Sequence, residues 1–334
     1  MAKGTLLKFK KEDDRTALRL LFVLIGVFIL VSILKPNLFL QRYNFISMAT
    51  QFPEYGLMAI GIGLTMISGG IDLAVVGIAN LSAIISAKYL LAVVPKDAPG
   101  TLPVILAAIL LALLVGLASG AFSGFLIAKL RIPAILATLG TQQLYTGFAI
   151  VLTEGRPLSR LPILYSQIGN VELFGFLPVP FILYIISAIA VGFILGKTSF
   201  GLKLYLVGSN AKAALYAGIE NRVILIKTYM ISGLLSSLAG LIMMARNNSA
   251  KADYGAAYTL QCVLIAVLGG VDPNGGLGSI RGITLAVLIL QFLSSGLNMF
   301  DQISNFYRDV IWGGVLIVAL IVNWIIARWN ERIK

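Results

Sequence analysis

The run FILYIISAIAVGFILGKT, residues 181–198, carries two incompatible signals, and choosing between them decides the fold. Its end, Gly196-Lys197-Thr198 after Gly192, reads like the close of a phosphate-binding P-loop. That loop needs four residues between its first glycine and the Gly-Lys pair, so that backbone N–H groups can wrap phosphates between a strand and a helix. Here only Phe193, Ile194 and Leu195 intervene, all large and apolar, at the end of a long hydrophobic run without turn chemistry. The run reads as a membrane helix, and Lys197 marks its exit. If ATP matters to this protein, another subunit binds it.

Composition agrees. Of the 334 residues, 58% are hydrophobic and 12% charged, about half the charged share of an ordinary soluble domain. An all-α integral membrane protein is expected. There is one cysteine, Cys262, and no histidine, which excludes a disulfide framework within the chain, zinc sites that need histidine and catalytic triads. The charged start MAKGTLLKFKKEDDRTALR runs into a long apolar stretch with no small-residue cleavage site. It reads as a retained first membrane helix, not a removable signal peptide.

At about 20 apolar residues per crossing, somewhat fewer for buried helices, ten segments stand out: 17–34, 54–68, 73–94, 102–128, 134–152, 177–196, 228–245, 258–270, 281–299 and 308–327. Pro36, Pro53, Pro95, Pro133, Pro162 and Pro178 fall at or near the breaks, where a missing N–H costs least. The expectation is a single transmembrane domain over 1–334, a bundle of about ten helices. An even number of spans puts both termini on one side. Taken as the cytoplasm, that side collects Lys and Arg about two to one over the other, including 1–16 and 197–227, as cytoplasmic loops do. The net charge of +12 is thereby explained without nucleic acid, since the charges are dispersed over several loops.

Two glycine-acid strings interrupt the helices. ISGGIDLAV (67–75) sets a double glycine and Asp72 between apolar stretches. It reads either as unwound backbone of a discontinuous helix facing a cavity or as a tight turn with an exposed Asp72 capping the next helix. LGGVDPNGGLGSIRG (268–282) repeats the order Gly-Gly-aliphatic-Asp. Both copies fall on one side, which an inverted five-plus-five repeat would not give.

Within 197–227, SNAKAALYAG offers Ser209 or Asn210 as N-cap, a short Ala/Leu body and Gly218 where a C′ glycine ends a helix. About eight residues make a helix of roughly 12 Å, marginal alone in water. It must lie against its own bundle or dock into a partner; both remain open on helix physics.

Four stretches together resemble a known family. GGIDLAV (69–75), ATLGT with EGRPLS (137–141 and 154–159), TSFGLKLYLVGSNAKAALYAGI (198–219) and GGVDPNGGLGSIRG (269–282) are similar, in order and spacing, to motifs of the permease subunits of bacterial ABC monosaccharide importers, the ribose and autoinducer-2 branch. The resemblance covers nearly the whole chain. It implies a vitamin B12-type importer bundle, paired with a second permease subunit, identical or paralogous. Two ABC ATPase subunits would bind below and an extracytoplasmic sugar-binding protein above, with no cofactor in this chain. It makes Ser209, Asn210, Lys212, Ala213, Ala214, Leu215, Tyr216 and Gly218 a coupling helix to the ATPase. Ala74, Val76 and Gly77 depart from the family's usual serine and Gly-Ser, leaving open a divergent substrate or an unequal pair.

A sugar is neutral, so a pathway for it needs amides and aromatic faces more than charges. Polar groups inside spans are costly unless they face an interior. Asp72, Asn80, Gln142, Gln143, Gln261, Gln291 and Asn298 are therefore candidates for the pathway lining; each could equally make an interhelical hydrogen bond worth around 1 kcal/mol. Phe292 and Tyr145 read as packing. Glu154, Arg156 and Arg160 on an outer loop are candidates for docking the binding protein; Trp312, Trp324 and Trp329 sit near the last span, and interfacial anchoring accounts for at least Trp329. The rival readings are a branched-chain amino acid ABC permease and an ion-gradient-driven carrier; a membrane enzyme lacks a cluster from which to build a site.

Overall fold

In the computed structural model, residues 2–95, 98–173, 175–300 and the single positions Val310, Gly313, Gly314 and Ile317 are described. The expected last span, 308–327, with Trp312 and Trp324, otherwise lies outside the described residues, as do Trp329 and the final basic cluster.

The helices are α1 (Ala2–Leu34), α2 (Pro36–Phe39), α3 (Arg42–Ile67), α4 (Val75–Val93), α5 (Leu102–Ala128), α6 (Ala134–Thr153) and α7 (Ile163–Asn170), followed by α8 (Val179–Lys197), α9 (Ser199–Ser209), α10 (Ala211–Tyr216), α11 (Asn221–Asn247), α12 (Tyr258–Leu268) and α13 (Ile280–Leu297). Two short antiparallel pairs stitch loops together: β1 (Leu158–Ser159) with β4 (Ser249–Ala250), and β2 (Glu172–Leu173) with β3 (Leu177–Pro178). Among the described residues seven helices are long and apolar enough to cross a membrane: α1 from Thr16 onward, α4, α5, α6, α8, α11 and α13. The run that opened the sequence reading is α8, a 19-residue helix with Lys197 in its last turn.

The centre of the bundle is α3, buried from Phe52 to Ile67 and packed against α11, α12, α8 and α13. It carries Glu54, Tyr55 and Thr65 among its buried residues, so it is less hydrophobic than its neighbours because it does not meet lipid. The polar start of α3 is why the segment expected at 54–68 begins at Arg42 instead, with Pro53 inside the helix and not at a break; membrane helices tolerate such a proline when neighbours pack around it.

Helix α11 crosses α5 along Gly116, Gly120 and Gly124, one per turn. A Cβ at Gly120 would overlap the carbonyl oxygen of Tyr229, and the two backbones touch. In lipid, helices associate by such close packing, since burying apolar surface gains nothing there.

Two further expectations are revised. The 197–227 stretch is not one loop around a short helix: it holds α9, α10 and the first turns of α11, which starts at Asn221. Its polar opening, Asn221-Arg222, hid that start. And α12 has 11 residues, roughly 16 Å at 1.5 Å per residue, too short to cross alone.

Candidate functional site

The short helix α10 is built by its own caps. Asn210 is the N-cap: its side-chain oxygen accepts from the Ala213 N–H at 2.9 Å. At the other end Gly218 takes φ of 79°, a left-handed conformation that costs glycine nothing. Gly218 N–H donates to Leu215 and Ile219 N–H to Ala214, the paired bonds of a Schellman close. Ala214 and Ile219 turn into the core, while Leu215 is 61% and Tyr216 91% exposed. Ser209 is the last residue of α9, so of the two N-cap candidates the structure uses Asn210.

The α9–α10 corner sits against the bundle. Gly208 touches the end of α3: a Cβ there would overlap the Ile67 carbonyl and stand 2.7 Å from the Gly276 nitrogen. Gly276 N–H donates to Ile67 at 2.9 Å and the Tyr205 hydroxyl to Gly278 at 2.7 Å. The α3–α4 turn, the α9–α10 corner and the α12–α13 turn thus meet in one place. The two Gly-Gly-aliphatic-Asp strings are the first and third of these, and their acids act alike. Asp72 Oδ1 accepts from the Ala74 N–H at 3.0 Å and Asp272 Oδ1 from the Asn274 N–H at 2.8 Å.

Asp72 differs from Asp272 in burial. The expectation of an exposed capping acid is corrected: Asp72 is fully buried in a tight turn between two separate helices. Its Oδ2 accepts from the Ser232 hydroxyl of α11 at 2.7 Å and its own N–H donates to Thr65 at 3.1 Å. The Thr138 hydroxyl of α6 reaches the carbonyl of neighbouring Ile71 at 3.0 Å. A buried carboxylate needs partners such as Ser232 and the Ala74 N–H, and together with the backbone bonds to Thr65 and Thr138 they tie α3, α4, α6 and α11 at this turn.

The remaining polar candidates do not converge. Asn80 donates to the carbonyls of Ala252 and Tyr254, both at 2.9 Å, pinning the 248–257 loop to α4. Gln142 accepts from the Gly77 N–H at 2.9 Å, joining α6 to α4. Gln143, one residue on, is exposed on α6 between exposed Gly140 and Gly147. Gln261 is buried in α12. Gln291 and Asn298 lie together on one side of α13, and there the structure opens.

They line a cleft of about 220 Å³ with Ser295 and Met299, facing Asn44, Ser47, Met48 and Gln51 of α3. The α3 residues were missed because that half of the helix failed to register as membrane. Their signal was available: 44, 47, 51 and 55 recur at helical spacing.

At this end of the bundle Glu54 forms an ion pair with Arg246 of α11, Oε1 to Nε 3.0 Å, and accepts from the Tyr258 hydroxyl of α12 at 3.4 Å. Glu154, Arg156 and Arg160 are exposed here, opposite the α10 end. Their loop is fixed by β1 pairing with β4. In the 248–257 loop, Lys251 donates to Asp253 at 2.8 Å, and that hydrogen bond, with the attraction of the same carboxylate, raises the pKa of the exposed ammonium.

Residues 44–320 match the family described as the permease component of the branched-chain amino acid transport system. The chain belongs to that permease family. It is 37% identical over 304 residues to the ribose import permease protein RbsC of Bacillus subtilis strain 168, covering 91% of this chain and 90% of that one. Identity is 32% over 315 residues to the L-arabinose transport system permease protein AraH of Escherichia coli K12, 94% and 91% of the two chains. It is 31% to the autoinducer 2 import system permease protein LsrC of Photorhabdus luminescens, 80% and 77%. A metal-chelate-type ABC transporter, solved facing inward, matches with a TM-score of 0.52 at 16% identity over 95% of this permease and 99% of that chain; this likeness concerns the fold alone. The permease is a multi-pass membrane protein and a transport component of ABC type. The resemblance read from the four motifs holds.

Proposed function

We propose that this permease is one membrane-spanning half of an ATP-driven importer that carries a neutral sugar, ribose-like or autoinducer-2-like, across the inner membrane by alternating access. The relatives at 31–37% identity are permease proteins for ribose import, L-arabinose transport and autoinducer 2 import, and this favours a sugar over the amino acid in the family's description. In this reading the chain is a single transmembrane domain of ten spans with both termini in the cytoplasm.

The observation that carries the mechanism is α10. A helix stiffened by Asn210 and Gly218, with Leu215 and Tyr216 bare on its outer side, suits a groove on a cytoplasmic ATPase, with Lys212 at the rim. Two ATPase subunits would each receive one such peg. Because Gly208 is seated on the α3–α4 and α12–α13 turns, a push on α10 passes to the central helix, as alternating access requires. ATP hydrolysis belongs to those partners.

The second permease, a copy or a paralogue, would pack on α6. Gly140, Gln143 and Gly147 face outward there at helical spacing, and an amide at that depth is costly in lipid but stable against another helix or a wet pathway. The exposed Glu154, Arg156 and Arg160 would meet an extracytoplasmic binding protein. Asp72, Asn80 and Gln142 hold helices together in this reading, and Gln143, Gln261, Gln291 and Asn298 remain for the pathway.

The test is co-purification from gently solubilised native membranes together with labelling of Lys212→Cys. An ATPase subunit and a second permease are expected alongside this chain, with the cysteine reacting only from the cytoplasmic side. Reaction with impermeant reagents in intact cells would overturn the topology and the coupling role together.

A further inference from the structure

We propose that the cleft between the N-terminal half of α3 and the C-terminal half of α13 is a binding site for a neutral polyhydroxylated ligand of monosaccharide size. The assignment deepens the sugar-import reading and rests on it for the ligand's identity, while the site itself rests on geometry.

Asn44, Ser47 and Gln51 stand on one stripe of α3, at spacings of three and four residues, and face Gln291, Ser295 and Asn298 at the same spacings on α13. Two polar stripes in a membrane bundle are expected to close on each other, because unpaired polar groups are costly there. Some members of the two stripes are paired. The Ser295 hydroxyl donates to Asn44 at 2.8 Å and the Gln51 amide to Ser47 at 2.7 Å, within its own helix. At the floor, Gln291 is more than nine-tenths buried. Its carbonyl oxygen accepts from the Tyr55 hydroxyl, which fixes the amide, and its N–H groups donate to no described residue. The space left between the stripes, about 220 Å³, lies below the roughly 300–1,000 Å³ of pockets for drug-sized ligands.

The chemistry of the lining names the ligand class. It offers hydroxyls and amides, which both donate and accept, and two thioethers, Met48 and Met299, that can lie against C–H faces. Among the described residues of the lining none is charged. An amino acid would bring an ammonium and a carboxylate with no charge among the described lining residues to compensate them, a large desolvation cost. A sugar brings only hydroxyls, each able to take and give a hydrogen bond. The Gln291 N–H groups, on an amide held by Tyr55, supply the fixed donor that a bound hydroxyl needs.

The experiment places a reporter thiol in the cleft of the complete importer in right-side-out membrane vesicles. Ser47→Cys is labelled with a maleimide in the presence of D-ribose, L-arabinose or L-leucine, while pentose uptake by the unaltered importer is measured alongside. Ser159→Cys, exposed at the same end, is the control; native Cys262 is fully buried. Asn298→Cys on the facing helix serves as the reporter if Ser47→Cys does not assemble. The expected result is labelling slowed at least fivefold by one of the pentoses at the cleft and unchanged at Ser159→Cys, with no effect of leucine. Unchanged labelling with both sugars overturns the site whether or not uptake occurs, and protection by leucine overturns its ligand class. Failure of pentose uptake alone counts against the import reading, and slowed labelling would still support the cleft.

Discussion

Gly208 of α9 lies directly on the carbonyl of Ile67, the last residue of the central helix, with no room between them for a single methyl group. The contact joins the element that would meet an ATPase to the element at the centre of the bundle. Gly208→Ala must push one backbone off the other. Overpacking of this kind costs about 1–3 kcal/mol, so the purified protein should melt several degrees lower. In the reconstituted importer, the ratio of substrate moved to ATP hydrolysed should fall further than either rate alone. A variant with an unchanged ratio would show that force does not pass through this contact.

Asp72 depends on Ser232 in the same region. Ser232→Ala leaves a buried carboxylate oxygen without its hydroxyl donor, a loss of about 1–3 kcal/mol, read as a lower midpoint in detergent thermal unfolding. Because the bond ties the α3–α4 turn to α11, cysteine accessibility along α11 near residue 232 should rise as well.

Leu215→Asp and Tyr216→Asp test the peg. Both side chains are exposed, so neither change should alter the melting temperature by more than a degree or two. Both should weaken ATPase association at least tenfold, measured by recovery of the ATPase on the immobilised permease. Asn210→Ala should act through the helix instead, costing about 1 kcal/mol of local stability, and Asn210→Ser should restore most of it, because serine also caps.

The Glu54–Arg246 pair at the other end predicts an asymmetry. Arg246→Ala strands a carboxylate that is fully buried, with an expected loss of about 3–5 kcal/mol. The double replacement Glu54→Gln with Arg246→Met removes both charges and should recover most of that loss in a thermal unfolding series.

Several of these elements were legible beforehand. The α10 helix, its closing Gly218 and an N-cap at Ser209 or Asn210 could be written from SNAKAALYAG, since capping is local chemistry between residues three or four apart. Helix α8 was legible from apolar run length against a missing P-loop residue. The N-terminal half of α3 was not, because its residues from Arg42 to Gln51 are largely polar and partly exposed, and so form no apolar run. The beginning of α11 was hidden for a similar reason, as its first residues project beyond the apolar run. Of the polar candidates, the sequence could pick amides at membrane depth but not their partners: Asn80 and Gln142 bond to backbone groups far away in the chain.

What the sequence determined alone is whatever depends on neighbours along the chain: a helical membrane protein, its short capped peg, and the four motifs that resemble a permease family. The tertiary structure decided whatever depends on groups brought together from distant segments. It buried Asp72 against Ser232, set Gly208 on Ile67, and opened a polar cleft between Ser47 and Gln291. None of these can be read from spacing, because in a bundle held by close backbone contact the partner of a polar group is chosen by which helices happen to touch, and that is a property of the packing.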